Sequence, residues 1–179
     1  MGHPGLTGVM QEFRAESRFR ETNMTPLTLD AVDRRILGHL QANARATTLE
    51  LAQAAGLSPA QCNRRHRRLE ELGLIGGYEA RLAAPALGLH VVAFVNVVME
   101  RGHIRELSKF KALVGDLAQI QECYAVTGDS DYVMKVVARD LKSLSNFLMD
   151  TLMRTPGVQA VRSTVCLDEI KCTAALPVD

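Results

Sequence analysis

The sequence predicts an α+β protein in which three helices precede strands and helices in the order βαββαβ. Apolar residues between positions 28 and 76 recur at helical spacing, whereas residues 88–179 alternate between valine-rich apolar runs and amphipathic stretches. Hydrophobic residues make up 47% of the 179 residues and charged residues 23%. This composition is ordinary for a globular protein and excludes disorder of the whole chain.

Residues 1–24 are predicted to be an N-terminal extension that is partly disordered. They are rich in glycine near the start, and their apolar residues are too sparse to form a core. They lack the charged region and apolar core of a secretory signal. The most apolar stretch, residues 82–99, is interrupted by Pro85, Gly88 and His90, so no membrane span is predicted. We therefore expect a cytoplasmic protein without a membrane partner.

Residues 25–82 are predicted to contain three short helices and a hinge. Each helix has a residue suited to cap its N-terminus, and the second and third also have a capping-box partner and a glycine at the end. These signals are Thr28 or Asp30 for the first helix, Thr47 with Glu50 and Gly56 for the second, and Ser58 with Gln61 and Gly73 for the third.

The third helix carries four arginines among the five residues 64–68, and residues 51–69 contain no acid. Its periodicity places Cys62, His66, Leu69 and Leu72 on the side that faces the core. Arg65 lies at the edge of that side and is expected to pair or pack. A run of arginines is often only a solvated helix face, but such faces usually carry compensating acids one turn earlier.

The turn before this helix favours DNA binding. Gly56, Leu57 and Ser58 form a tight connection, and the small Ala52 lies where the two helices of a helix-turn-helix cross. The early turns of the second helix in such a motif reach base edges in the major groove. Asn63 and Arg64 carry donors suited to bases, and Arg67 and Arg68 suit phosphates. The candidate DNA-binding residues are Ser58, Ala60, Gln61, Asn63, Arg64, Arg67 and Arg68.

The cysteines and histidines indicate no metal, cofactor or catalytic site. No two of the four cysteines form a CxxC pair, and the five histidines share no spacing. We expect the cysteines to be buried or half-buried thiols. We expect His66 to be largely buried and uncharged, so that a valine in its place would be neutral or stabilising.

Residues 83–179 are predicted to form a ferredoxin-like βαββαβ domain. The expected strands are Val91–Met99, Ile120–Val126, Tyr132–Ala138 and Val158–Leu167, with helices near residues 104–117 and 141–152. Helices cover only one face of such a sheet. The other face is apolar enough here to need a partner, so we expect at least a dimer.

The link between the second and third strands is a candidate ligand loop. Gly128 permits a tight turn and a close approach to backbone N–H groups, and Asp129 and Asp131 can accept hydrogen bonds from an ammonium group. The same residues are also typical of a simple β-turn with supporting aspartates, and the residues alone leave both interpretations open.

Residues 27–178 resemble the Lrp/AsnC (leucine-responsive, "feast/famine") transcriptional regulators. The matching stretches are LDAVDRRIL at 29–37, LSPAQCNRRHRRLEELGLIGGY at 57–78, IQECYAVTGDSDYVMKV at 120–136 and VCLDEIK at 165–171. The sequence is most similar to the leucine-responsive branch, whose third helix also carries LSP and a cysteine. Two features depart from the family: His66 replaces a branched aliphatic residue, and residues 1–24 exceed the usual N-terminus.

The resemblance implies a helix-turn-helix domain with a hinge at 25–82 and an effector-sensing, oligomerising domain at 83–179. It implies homodimers that form through the sheets, assemble into octamers or other rings, and bind a small amino acid such as leucine or methionine where dimers meet. By the same resemblance the effector-binding residues are Ala125, Thr127, Gly128, Asp129, Asp131, Thr164, Val165 and Cys166.

Two other functions compete with this interpretation. One is an architectural DNA-organising protein without an effector. The other is an enzyme similar to the sirohaem decarboxylases, which resemble this family and would need histidines and basic or aromatic residues around a tetrapyrrole. The unrelated histidine positions and an aromatic content of 4% argue against the enzyme.

Overall fold

The structure is a computed structural model that describes residues 29–100 and 104–178, with side chains for all of these except 104–108. The predicted N-terminal extension, residues 1–24, lies outside the described residues. The described chain divides into two compact units. A helical unit contains residues 29–81 and 171–178, and an α/β unit contains residues 82–170.

Three helices build the helical unit: α1 (Ala31–Ala42), α2 (Thr48–Ala55) and α3 (Pro59–Glu71). Asp30 is the N-cap of α1, since its carboxylate accepts from the N–H groups of Val32 and Asp33. The capping boxes predicted for α2 and α3 are both present. Gly56 and Gly73 end these helices with φ near +70°, a conformation that favours glycine. The core is formed by the buried side chains of Ile36, Leu37, Leu40, Leu51, Ala52, Ala55, Cys62 and Leu69.

The α/β unit begins with a 3₁₀ turn at Ala84–Leu87 and then follows the predicted βαββαβ order. Its elements are β1 (Val91–Met99), α4 (Ile104–Asp116), β2 (Ile120–Ala125), β3 (Tyr132–Ala138), α5 (Leu141–Asn146, continuing as a π-helical segment over Phe147–Leu152) and β4 (Val158–Val165). The sheet is antiparallel with strand order β2-β3-β1-β4. Strand β4 ends two residues before the predicted Leu167, which is almost wholly exposed.

The two faces of the sheet differ in burial. On one face Val95, Val97 and Met134 pack with Phe110 and Leu152 from the helical segments. On the other face Phe94 remains 46% exposed, and its apolar neighbours are half-buried. These neighbours are Val92, Val98, Val133 and Val137. The expected open apolar face is therefore present in the single chain.

The C-terminal residues correct the predicted domain boundary. The sequence analysis assigned residues 83–179 to one domain, but residues 171–178 belong to the helical unit. The side chain of Gln41 in α1 donates to the carbonyl of Leu176 at 2.9 Å and accepts from its N–H at 2.5 Å. Val178 packs against the core of the helical unit. These contacts join residues 135 positions apart, which local sequence patterns do not encode.

Within the described ranges, no helix is both long enough and apolar enough to cross a membrane.

Candidate nucleic-acid interface and effector site

The outward face of α3 presents most of the predicted DNA-binding side chains. Asn63, Arg64, Arg67 and Arg68 are all exposed, whereas Cys62 is completely buried against the core. The helix therefore has the two sides that its periodicity predicts. Four donor-bearing side chains lie on the solvent side, where a groove can accept a helix.

The first turn of α3 has a structural task as well. Ser58 and Gln61 are exposed but bonded to each other, since the backbone N–H and the hydroxyl of Ser58 donate to Gln61 Oε1 at 3.3 and 3.0 Å. The N–H of Gln61 donates back to Ser58 Oγ at 3.4 Å. The exposed Ala60 lies between them. These contacts hold the N-terminus of α3 in a helical conformation and leave the Gln61 amide nitrogen at the surface.

Arg65 differs from the arginines beside it, as expected, because it pairs with α1. Its Nη1 donates to Asp33 Oδ1 at 2.8 Å and to Asp30 Oδ2 at 2.6 Å. The Asp33 side chain is only 3% exposed. The bond to Asp33, followed by the bond to Asp30, raises the pKa of Arg65. The N–H of Asp33, and then Arg65, lower the pKa of Asp30.

Arg64 and Arg68 lie beside this pair. Arg68 Nη1 lies 3.9 Å from Asp33 Oδ2, although the Arg68 side chain is 55% exposed. Arg64, Arg65 and Arg68 line an open hollow of about 340 Å³ on the surface of the helical unit. A hollow lined by guanidinium groups is suited to an anionic group such as a phosphate.

His66 has polar partners that the sequence analysis did not name. Its side chain is only 21% exposed, and Nε2 lies 2.5 Å from Tyr78 Oη. Tyr78 Oη in turn donates to Glu70 Oε1 at 2.9 Å. That a valine at this position would be neutral or stabilising stays a prediction, and these polar contacts of His66 argue against it. Leu72 differs from its prediction, being 37% exposed, because α3 ends at Glu71 and Leu72 lies beyond the core.

The loop after β2 has the backbone expected of a tight turn. Gly128 adopts φ +113°, which a side chain would disfavour. The N–H of Asp131 donates to the carbonyl of Val97, and Asp131 Oδ2 accepts from the N–H of Met99 at 2.7 Å. One carboxylate oxygen of Asp131 therefore anchors the loop to β1. Asp129 and Thr127 are exposed.

The predicted effector residues do not meet within one chain. Ala125, at the end of β2, pairs with Tyr132 of β3. Thr164, in β4, pairs with Phe94 of β1. Strands β2 and β4 are the two opposite edges of the sheet, so the two groups are separated by three strand spacings, about 14 Å. Val165 and Thr164 are exposed and Cys166 is half-buried. A site that uses both groups needs a second copy of the chain.

The cysteines and acidic residues offer little for metal binding. Among the residues that the structure describes, no group of three His, Cys, Asp or Glu side chains is placed to hold a metal ion. Cys62 is buried and Cys123 and Cys166 are half-buried, but Cys172 is exposed, against expectation. Burial raises the pKa of the Cys62 and Cys123 thiols, which keeps both in the less reactive protonated form.

Comparison with known proteins finds two family models that match the chain. A model of the AsnC-type helix-turn-helix domain matches residues 29–70, and one of the Lrp/AsnC ligand binding domain matches residues 92–176. The leucine-responsive regulatory protein of Salmonella typhimurium is 41% identical over 143 residues, which cover 80% of this chain and 87% of that protein.

Solved structures agree with the sequence comparison. A transcriptional regulator of Neisseria meningitidis, solved as a complex with L-Met, superposes with a TM-score of 0.82 at 36% identity and covers 85% of this chain and 98% of that one. An AsnC family regulator of Agrobacterium tumefaciens has a TM-score of 0.79 at 30% identity, covering 84% and 97%. With the two domains matched in order and the fold shared along most of the chain, this protein belongs to the Lrp/AsnC family of transcriptional regulators.

Proposed function

We propose that this regulator binds double-stranded DNA sequence-specifically through α3, and that a small amino acid changes its assembly or its DNA affinity. The observation that supports the DNA contact is the different surroundings of Arg64 and Arg65. Arg65 is held by Asp30 and Asp33, whereas within the described ranges Arg64 and Arg67 form no ion pair. Exposed arginines without an acid partner are available to phosphates and base edges.

The proposed roles follow from position on the helix. Asn63 and Arg64 lie early in α3, where side chains reach bases, and Arg67 and Arg68 lie one turn later and suit phosphates. Ser58, Ala60 and Gln61 bring the start of the helix close to the DNA backbone. A regulator of transcription works where the DNA is, so the proposal places the protein in the cytoplasm.

A homodimer formed through the open face of the sheet is part of the proposal. Phe94 and the half-buried valines around it leave an apolar face that a second copy can cover. Dimers would assemble further into an octamer or another ring. Because Ala125 and Thr164 lie on different edge strands of one chain, an amino-acid site that uses both would be completed between copies.

The effector class is proposed from the relatives and from the loop. The names of the similar proteins refer to leucine and to L-Met, so a small apolar amino acid such as leucine or methionine is the proposed ligand. Its apolar side chain would lie near Ala125, Thr164 and Val165. Its ammonium group would meet Asp129 or the second oxygen of Asp131, and its carboxylate would meet backbone N–H groups beside Gly128.

The two competing functions give different results in one experiment. Footprinting on the DNA upstream of the protein's own gene, with and without leucine, methionine and other amino acids, is expected to show a protected region that an effector alters. A variant carrying Arg64→Ala and Arg67→Ala is the control and should protect nothing. Protection that no amino acid alters favours the architectural function, and absence of protection contradicts DNA binding. Decarboxylation of added sirohaem would favour the enzyme.

A further inference from the structure

Asp33 carries a carboxylate into the contact between α1 and α3. It lies in the first turn of α1, and its side chain is only 3% exposed. Burying a carboxylate costs free energy unless its partners replace the lost water, and an apolar side chain often fills such a position at a lower cost. What distinguishes the carboxylate from an apolar side chain here is therefore the set of partners that it holds.

Each oxygen of Asp33 faces a different arginine of α3. Oδ1 accepts from Arg65 Nη1 at 2.8 Å, and Oδ2 lies 3.9 Å from Arg68 Nη1. The Arg65 side chain is 29% exposed and is also held by Asp30, whereas the Arg68 side chain is 55% exposed. The buried carboxylate therefore attracts Arg68 towards α1 while much of the Arg68 side chain stays open to solvent.

The hollow lined by Arg64, Arg65 and Arg68 has a net positive charge. Guanidinium groups that lie close together repel one another, and the buried charge of Asp33 offsets part of this repulsion. Asp30 is the more exposed acid here, but its Oδ1 accepts from two backbone N–H groups of α1 and its Oδ2 accepts from Arg65. Both acids are thus bound by the protein, and three guanidinium groups against two carboxylates leave one positive charge.

The chemistry of the hollow suits a phosphodiester. Guanidinium groups bind phosphate oxygens with paired N–H donors, and a phosphodiester carries a single negative charge. Arg64 and Arg68 lie one turn apart on the same side of α3, so both can direct donors to one phosphate. Because the hollow is open, it can admit a group that remains attached to a polymer.

We propose that Asp33 is a positioning residue for DNA binding, because its buried carboxylate holds Arg68 at the hollow and the hollow then receives one phosphate of the DNA backbone. The proposal rests on the proposed function, since it requires that α3 contacts DNA. It adds a residue of α1 that acts on the DNA only through Arg68. A guanidinium that is already held in place loses less conformational entropy on binding than a free one.

The test locates the phosphate by removing single charges from the DNA. The full-length protein is titrated with duplexes of a site that it protects in footprinting, each with one phosphate replaced by an uncharged methylphosphonate. The wild type is compared with Asp33→Asn, with Arg68→Ala and with the protein that carries both changes. Asp30→Asn and Arg67→Ala are the matched controls. The first removes a neighbouring charge but keeps a residue that caps helices, and the second removes another exposed arginine of α3.

One phosphate position should weaken wild-type binding at least about fivefold when it is neutralised, and should have no effect in Arg68→Ala. The same position should lose most of its effect in Asp33→Asn, while the other sensitive positions stay sensitive. The double variant should bind about as tightly as Arg68→Ala, because Asp33 acts through Arg68. Both controls should keep the effect at this position. A purely structural role of Asp33 would weaken binding to every duplex alike and leave the pattern unchanged.

A second measurement distinguishes the DNA backbone from free phosphate. At constant ionic strength, replacing chloride by inorganic phosphate should lower the DNA affinity of the wild type no more than that of Arg68→Ala. Stronger competition in the wild type would identify the hollow as a site for free phosphate and would overturn its assignment to the DNA backbone.

Three further results overturn the proposal. An Asp33→Asn protein with the wild-type pattern contradicts the positioning role. An Arg68→Ala protein that stays sensitive at every position shows that no phosphate lies in the hollow. Both results leave the proposed function intact, whereas a wild type that protects no DNA refutes that function and this inference with it. If Asp33→Asn fails to fold in a thermal melt, Asp33→Val, which buries no charge and leaves Arg65 paired with Asp30, takes its place in the series.

Discussion

Arg65 of α3 donates to Asp33 of α1 at 2.8 Å, and the accepting carboxylate is almost completely shielded from solvent. Arg64, the preceding residue, faces outward and forms no ion pair among the described residues. One residue along a helix is a rotation of about 100°, which takes the side chain from the surface to the contact between helices. Arg65 therefore joins α3 to α1, whereas the adjacent Arg64 lies on the exposed face of α3.

Loss of Arg65 should lower stability. Arg65→Ala leaves the buried Asp33 carboxylate with the more distant Arg68, 3.9 Å away, and removing one partner of a charged hydrogen bond lowers the free energy of unfolding. Chemical denaturation should report this loss in the free energy of unfolding. Arg64→Ala is the matched control and should change it by less than about 0.5 kcal/mol. Equal stability of the two variants would show that the Arg65–Asp33 contact contributes nothing.

Loss of Arg64 or Arg67 should weaken DNA binding and leave the fold intact. Both side chains lie on the face of α3 away from the core, so their removal creates no cavity. Each variant should bind its operator less tightly, and loss of a phosphate contact should lower the slope of log affinity against log salt by about one. Titrations at several salt concentrations measure both quantities. Wild-type affinity in both variants would contradict the assignment of α3 as the reader.

Two substitutions of Asp131 should show whether its carboxylate binds the effector or only anchors the loop to β1. Asp131→Asn keeps an oxygen for the N–H of Met99 but removes the charge, whereas Asp131→Ala removes both. If the carboxylate binds an ammonium group, calorimetric titration with leucine and methionine should show at least about tenfold weaker binding in both variants. Tight binding by Asp131→Asn with weak binding by Asp131→Ala would assign Asp131 to the loop alone. Light scattering reports whether assembly beyond the dimer changes as well.

Removal of the C-terminal residues should loosen the helical unit. A chain ending at Ala174 loses the backbone bonds of Leu176 to Gln41 and the packing of Val178, a loss of about 1 kcal/mol. Amide hydrogen exchange in the second half of α1 should accelerate. Leu176→Ala is the control, because Gln41 contacts only the backbone there and the leucine side chain is 72% exposed. Unchanged exchange in the shortened chain would show that this segment does not stabilise α1.

The contribution of Tyr78 to stability should disappear at alkaline pH. Its pKa is raised from 10 to about 12, chiefly by burial and then by Glu70, so the fold favours the protonated hydroxyl. The stabilisation is complete below pH 10 and is lost as the pH rises through about 12. The difference in unfolding free energy between the wild type and Tyr78→Phe should therefore shrink over that interval. A constant difference would mean that the pKa of Tyr78 is the same in the folded and unfolded states.

Local signals predicted the elements well. The capping boxes at Thr47 and Ser58 and the glycines after α2 and α3 set helix ends that the structure reproduces. Strand β1 has its predicted bounds, because a valine-rich run that is buried on one face strongly favours a β-strand. The outward position of the arginines on α3 and the exception of Arg65 follow from the period of a helix.

Other features depend on residues distant in sequence. His66 contacts Tyr78, which lies twelve residues away beyond the end of α3, so helix periodicity alone did not reveal this partner. Gln41 and Leu176 are 135 positions apart, and no local pattern links them. Two aspartates in the turn suggested ligand contacts. One of them, Asp131, instead accepts a hydrogen bond from the N–H of Met99, which belongs to β1.

The sequence by itself determined the order of elements, their caps, the face of α3 that is exposed, and the family, because these depend on residue type and on spacing within a few turns. Only the tertiary structure decided that Asp131 anchors its loop, that His66 and Tyr78 join, and that residues 171–178 complete the helical unit. It also decided that the two groups of candidate effector residues lie on opposite edges of the sheet. These relationships are set by packing and by strand order, which bring together or separate residues regardless of their distance along the chain.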